Sequence, residues 1–154
     1  MNRFIMAIAV VVLVGATAAC VGGSKVAHVQ KIRYELANHI PDDPDHQALF
    51  VAMAAECFTW GLFNSNADLN PTQRSTLCIR TGAQKQPQQI VNIYNHLAGH
   101  FDTLHFMRLV GASCLGEGNG YRRTSGSLPP SNYVPFVEQC IQRGTASWLS
   151  SPVL

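Results

Sequence analysis

The stretch "HLAGHFDTLH" places His96, His100, Asp102 and His105 within a few residues of one another. His96 and His100 are four apart, so on one helix they share a face, an arrangement that can hold zinc. The metalloprotease pattern needs a glutamate after the first histidine, and Leu97 stands there instead. Gly99 marks a helix ending just before His100, so these histidines read as residues that cap or pack a turn, with no metal. A second candidate is "GEGNG" at residues 116–120, which has the glycine content of a phosphate loop. No strand precedes it and no Gly-Lys-Ser/Thr follows, so it reads as a solvated turn. The sequence has no G-x-S-x-G and no acid pair set by a recognisable motif, and the expectation is a protein that is not an enzyme and needs no cofactor.

The cysteines depend on the compartment, and the first residues address that. Arg3 is the only charge before Lys25, and the apolar run Phe4 to Val14 gives way to Gly15, Ala16, Thr17, Ala18 and Ala19. A membrane span needs about 20 apolar residues with anchoring flanks. A basic start, a short apolar core and small residues at a cut describe a secretory signal. Two cuts remain open: after Ala18, or just before Cys20. Thr17-Ala18-Ala19-Cys20 resembles a bacterial lipobox, with Thr17 where leucine or valine is commoner. The expectation is a signal peptide over 1–19, lipid on Cys20, and a flexible tether over 20–25 holding a periplasmic protein to its membrane.

Export makes Cys57, Cys78, Cys114 and Cys140 legible as an even set in an oxidising space, hence as two disulfides. Of the three pairings open to them, Cys57–Cys78 and Cys114–Cys140 are favoured because each joins neighbours in helical order. A net charge of +2 with 13% charged residues offers no basic excess with interleaved aromatics, which argues against nucleic acid.

The elements that must carry these residues are helical, in one domain over 26–154. Val26, Val29, Ile32, Leu36 and Ile40 recur at helical spacing until "PDDPD". Asp43-Pro44 is a cap followed by a first turn, and Leu49, Phe50, Met53, Ala54, Cys57 and Trp60 share one side of the helix it opens. Asn70-Pro71 restarts a short helix that Gly82 is expected to end. Pro87 opens another, with Ile90, Val91, Tyr94 and Leu97 inward. Asp102 or Thr103 caps the next, which carries Leu104, Met107, Val110 and Cys114. Residues 116–132 read as a long loop, and Val134 to Gln142 resumes the helix before Gly144. Nothing alternates long enough to demand a strand. The fold class is therefore all-α, a small disulfide-stapled domain of five to six helices after the signal. Phe58, Trp60, Phe63, Tyr94, Phe101 and Phe106 read as core aromatics. The two cysteine-bearing halves share a helix–Cys–loop–Leu-x-Pro–helix–Cys-Ile order, which supports each pair closing its own loop.

The stretch from Glu56 to Leu115 resembles the Rap/Tai family of type VI secretion immunity proteins, small exported helical inhibitors of peptidoglycan-cutting amidases. Cys57 and Trp60 stand near the family's first element, and Cys78-Ile79 with Gly82 at its second. Gln89 and Val91 match the third; Leu97, His100, Leu104 and His105 match the fourth. The chain departs from the pattern at Thr59, where the family has glycine, at Arg80, where it has proline, and at Phe101-Asp102, where it has Pro-Glu. The resemblance implies an exported helical protein that binds and inhibits an amidase.

The expected mode is occlusion, in which a rigid body presents a loop to the partner's cleft. Affinity would come from a few aromatic or arginine anchors. Tyr121, Arg122 and Arg123 in the 116–132 loop are the candidate anchors, with Trp60 beside them as a further partner-binding residue. The partner is a protein, an amidase effector, with a homodimer as a further association. The rivals are an envelope lipoprotein that scaffolds a secretion or cell-wall machine, and a small periplasmic chaperone.

Overall fold

A computed structural model describes residues 23–40 and 42–152, and every regular element among them is an α-helix. The signal segment, Cys20 and the first part of the expected tether lie outside the described residues. The helices are α1 (Gly23–His39), α2 (Pro44–Phe63), α3 (Pro71–Gln84), α4 (Gln88–Ala98), α5 (Phe101–Ser125) and α6 (Val134–Leu149). α1 starts three residues earlier than its apolar pattern predicts, so Gly23 and Ser24 form its first turn instead of a tether. A first turn tolerates them because its N–H groups have no intrahelical partner in any case. None of the described helices is long and apolar enough to cross a membrane.

The helix starts follow the local chemistry. Asp43 caps α2, its carboxylate accepting from the backbone N–H of Asp45 at 3.0 Å and of His46 at 3.2 Å. Asn70 and Gln73 form a reciprocal capping box at the start of α3, with Pro71 in the first turn. α2 stops where Asn64 turns left-handed (φ 54°) and its N–H returns to the carbonyls of Gly61 and Trp60. α4 ends at Gly99 as the sequence predicts. The start of α5 differs from expectation: neither Asp102 nor Thr103 caps it, and His100 takes that position without a side-chain bond. Thr103 instead donates to the carbonyls of Leu97 and His100, pinning the α4–α5 corner from inside.

The cap at Asp43 carries a pH signature. Its carboxyl is held below the usual aspartate range, chiefly by the hydrogen bond from the His46 ring and then by the His46 backbone N–H. A lowered folded-state pKa stabilises fully above the ordinary aspartate value and loses its contribution as pH falls through the lowered one. Asp43→Asn keeps the cap but not the charge. Its melting temperature relative to the natural protein is therefore expected to be lower at neutral pH, with the gap closing below about pH 4. A gap independent of pH would contradict the assignment.

Three expected boundaries fall at glycines that the helices pass straight through. α3 runs past Gly82, α6 past Gly144, and α5 continues through "GEGNG" to Ser125, so the irregular chain is 126–133 rather than 116–132. Each interior glycine costs about 1 kcal/mol against alanine, and packing explains why several are kept. A Cβ on Gly118 would strike the carbonyl of Phe58 and lie 2.8 Å from the N of Leu62; one on Gly61 would strike the carbonyl of Leu115. A Cβ on Gly82 would lie 2.7 Å from the carbonyl of Ala52, and one on Gly144 2.8 Å from the N of Val110. Bare backbone lets the helices touch. All four of these glycines stand four residues after a cysteine: Cys57-x-x-x-Gly61, Cys78-x-x-x-Gly82, Cys114-x-x-x-Gly118 and Cys140-x-x-x-Gly144.

The disulfides are Cys57–Cys78, joining α2 to α3, and Cys114–Cys140, joining α5 to α6. Two equivalent hairpins result, and they meet through α2 and α5. Phe50 meets Phe106, Cys57 lies beside Gly111, and Gly61 meets Gly118, so these two helices run in the same direction. At one end of the core Phe106 stacks on Trp148 with centroids 4.5 Å apart. At the other, Phe58 is surrounded by Tyr121, Tyr133 and Phe136. Phe63 (50% exposed) and Phe101 (75%) leave the core, contrary to the sequence reading, because each sits at a helix end beyond the packed faces. α1 docks through Arg33, which donates to the carbonyls of Ser151 and Pro152 and faces the Trp148 ring.

Candidate partner-binding surface

The histidine cluster sits at the α4–α5 corner and is a surface feature. His96 and His100 are exposed with ring centroids 5.1 Å apart, and His105 stacks flat against Phe101. Among the described residues, no three His, Cys, Asp or Glu side chains are grouped so as to hold a metal ion. The "GEGNG" segment lies inside α5, where its N–H groups belong to the helix and cannot cradle a phosphate.

The expected anchors are helical and do not form a loop. Tyr121 is half-buried, its ring edge-on to Phe136 at 5.2 Å. Arg122 is half-buried, and its Nε is buried with no hydrogen-bond partner among the described residues. Arg123 alone of the three is exposed. Trp60 is half-buried and donates from its ring to Glu56 at 3.0 Å. Arg74 donates to the carbonyls of Trp60 and Ser65 at 2.9 Å each. These acceptors close the C-terminus of α2, where a cation opposes the helix dipole. Burial holds the Arg74 pKa below its usual value, and the nearby charge of Arg122 adds to that. Trp60, Arg74 and Arg122 thus gather at one helix end, where the polar groups of Trp60 and Arg74 serve the fold.

The surface has shallow grooves. One, about 490 Å³, runs over Gly116, Gly120 and Tyr121 and is bordered by the Arg143–Glu117 ion pair. A second, about 360 Å³, lies between α3 and α5 and is lined by Thr72, Gln73, Thr76, Leu77, Arg80 and Arg108. Arg108 donates from Nε to the Thr76 hydroxyl at 2.9 Å, and Thr76 donates to the Thr72 carbonyl, so the guanidinium is oriented from behind. Tyr94 of α4 stands within electrostatic reach of both arginines. Burial raises its phenol pKa while the Arg80 and Arg108 charges oppose the rise. The sequence reading noted Arg80 only as a departure from the family pattern and did not single out Arg108, yet one signal for them was present. Asp102 is the only carboxylate side chain between Asp68 and Glu117.

Fold and surface define a small helical protein built from two disulfide-stapled hairpins, with open grooves on its faces. In comparisons with known proteins, no family model, no curated protein and no solved structure matches the chain.

Proposed function

We propose that the protein is an exported immunity protein that binds and inhibits a peptidoglycan-cleaving amidase delivered by type VI secretion. The observation that carries this reading is the ordered motif series Cys57, Cys78-Ile79, Gln89-Val91 and Leu97-His100-Leu104-His105. Its members fall on α2, α3, α4 and the α4–α5 corner. The two staples support the reading from a different side. Neither α2 with α3 nor α5 with α6 can separate while its bridge is intact. A body already in its binding shape loses little conformational freedom on association, and that preserves affinity. Inhibition proceeds by occlusion, so no proton or cofactor chemistry is asked of this chain. Lipid at Cys20 would hold the inhibitor at the membrane in the periplasm.

The test is protection. Cells making the protein in the periplasm are expected to survive a type VI amidase that kills cells lacking it, and purified protein to inhibit that enzyme at one-to-one stoichiometry. A nanomolar constant, about −12 kcal/mol, is the strength such protection needs. If type VI amidases retain full activity in its presence, the immunity reading fails and the scaffold reading takes its place.

A further inference from the structure

The groove between α3 and α5 brings two arginines without carboxylate partners onto one surface. Three other long cations are matched by carboxylates: Lys31 by Glu35, Lys85 by Glu56 and Arg143 by Glu117. Arg33 and Arg74 are spent on backbone carbonyls. Arg80 and the two terminal nitrogens of Arg108 have no hydrogen-bond or ion-pair partner among the described residues. They come from two helices and line one groove with the hydroxyls of Thr72 and Thr76. Two like charges that line one groove without carboxylate partners raise a local positive potential.

α3 and α4 carry no carboxylate side chain, and the exposed Asp102 of α5's first turn is six residues from Arg108, off its face. Asp68, in the turn next to the lining Leu69, makes no ion pair with either arginine, so neither charge is neutralised by direct contact. Guanidinium groups present paired N–H donors that fit a carboxylate, and the Thr72 hydroxyl can donate to a remaining lone pair, while the Thr76 proton is already given to the Thr72 carbonyl. Leu69 and Leu77 line the same groove and give such a pair an apolar flank.

We propose that this groove is the docking site for a carboxylate side chain on an acidic surface of the protein partner, held by Arg80 and Arg108. The proposal rests on the immunity reading for the partner's identity, though not for the groove's preference. Unmatched rim charges act mainly on the rate of encounter, so association should be fast at low salt and fall steeply as salt rises.

The experiment has two arms. In the first, the arginine Nε–Hε resonances of the intact protein are titrated with a hexaglutamate peptide at low ionic strength. Saturable shifts are expected at Arg80 and Arg108, with Arg123 and Arg143 unmoved, and they should vanish in Arg80→Gln/Arg108→Gln. Shifts spread evenly over exposed arginines, or none, would overturn the proposal. In the second arm, the inhibited amidase is met by Arg80→Glu/Arg108→Glu, with circular dichroism confirming the fold. The association rate is expected to fall at least tenfold at low salt; an unchanged rate overturns the proposal. If this reversal unfolds the chain, the glutamine pair serves, with about a threefold loss expected and no loss counting against the groove. If the natural protein inhibits no amidase, the immunity reading fails while the first arm still decides what the groove binds.

Discussion

Gly118→Ala is expected to cost about 3 kcal/mol, while Gly120→Ala, two residues along the same helix, is expected to gain up to about 1 kcal/mol. Both replace an interior helical glycine, and both recover the same propensity. They differ in what a methyl group would meet. At Gly120 nothing lies within 4 Å, whereas at Gly118 the obstacle is the backbone of α2 at Phe58 and Leu62. A side chain in the way can rotate; a helix backbone must translate, carrying Phe58 out of its aromatic surroundings, and overpacking of that kind lies at the high end of its usual range. Urea unfolding measures both. Gly61→Ala should match Gly118→Ala, and the double variant should cost less than the sum because one separation of the helices relieves both clashes. A Gly118→Ala protein as stable as the natural one would refute this account of the crossing.

Removing either disulfide is expected to be as damaging. The bridges close loops of 21 and 26 residues, for which loss of chain entropy in the unfolded state gives about 3 kcal/mol each. All four cysteines are fully buried, so Cys114→Ala with Cys140→Ala adds a small packing loss without leaving a buried hydroxyl. A domain of this size has about 5–15 kcal/mol in all. One missing bridge should therefore lower the urea midpoint sharply, and full reduction should unfold much of the population at 37 °C. Midpoints insensitive to reductant would mean that the bridges contribute nothing to stability.

The apolar spacing and the cap residues made the helices legible, because those signals are local. Asp43-Pro44, Asn70-Pro71 and Gly99 each mark an end that the structure keeps. The cysteine pairing was also readable, since neighbouring helices in a short chain leave each cysteine one near partner. Glycine misled the reading at Gly82, Gly118 and Gly144. Propensity treats glycine as a stop, but here the third dimension uses it as a seat for another backbone, and nothing in a single helix reveals what crosses it. The recurrence of glycine four places after each of the four disulfide cysteines was the available clue. The same error turned Tyr121 and Arg122 from packed helical residues into loop anchors. The groove at Arg80 and Arg108 was hidden for a different reason. Its residues come from two helices, and only the scarcity of acids around them is visible in one dimension.

Both bridges link cysteines that are consecutive in the sequence, and none spans the two hairpins. A chain oxidised from its amino terminus as it emerges would present Cys57 and Cys78 to each other before Cys114 exists outside. With Cys20 taken up by lipid, as proposed, the first pair can close correctly with no competitor, and the second then finds only itself. The order of synthesis is enough to specify the pairing, so maturation should need an oxidant but little reshuffling by an isomerase.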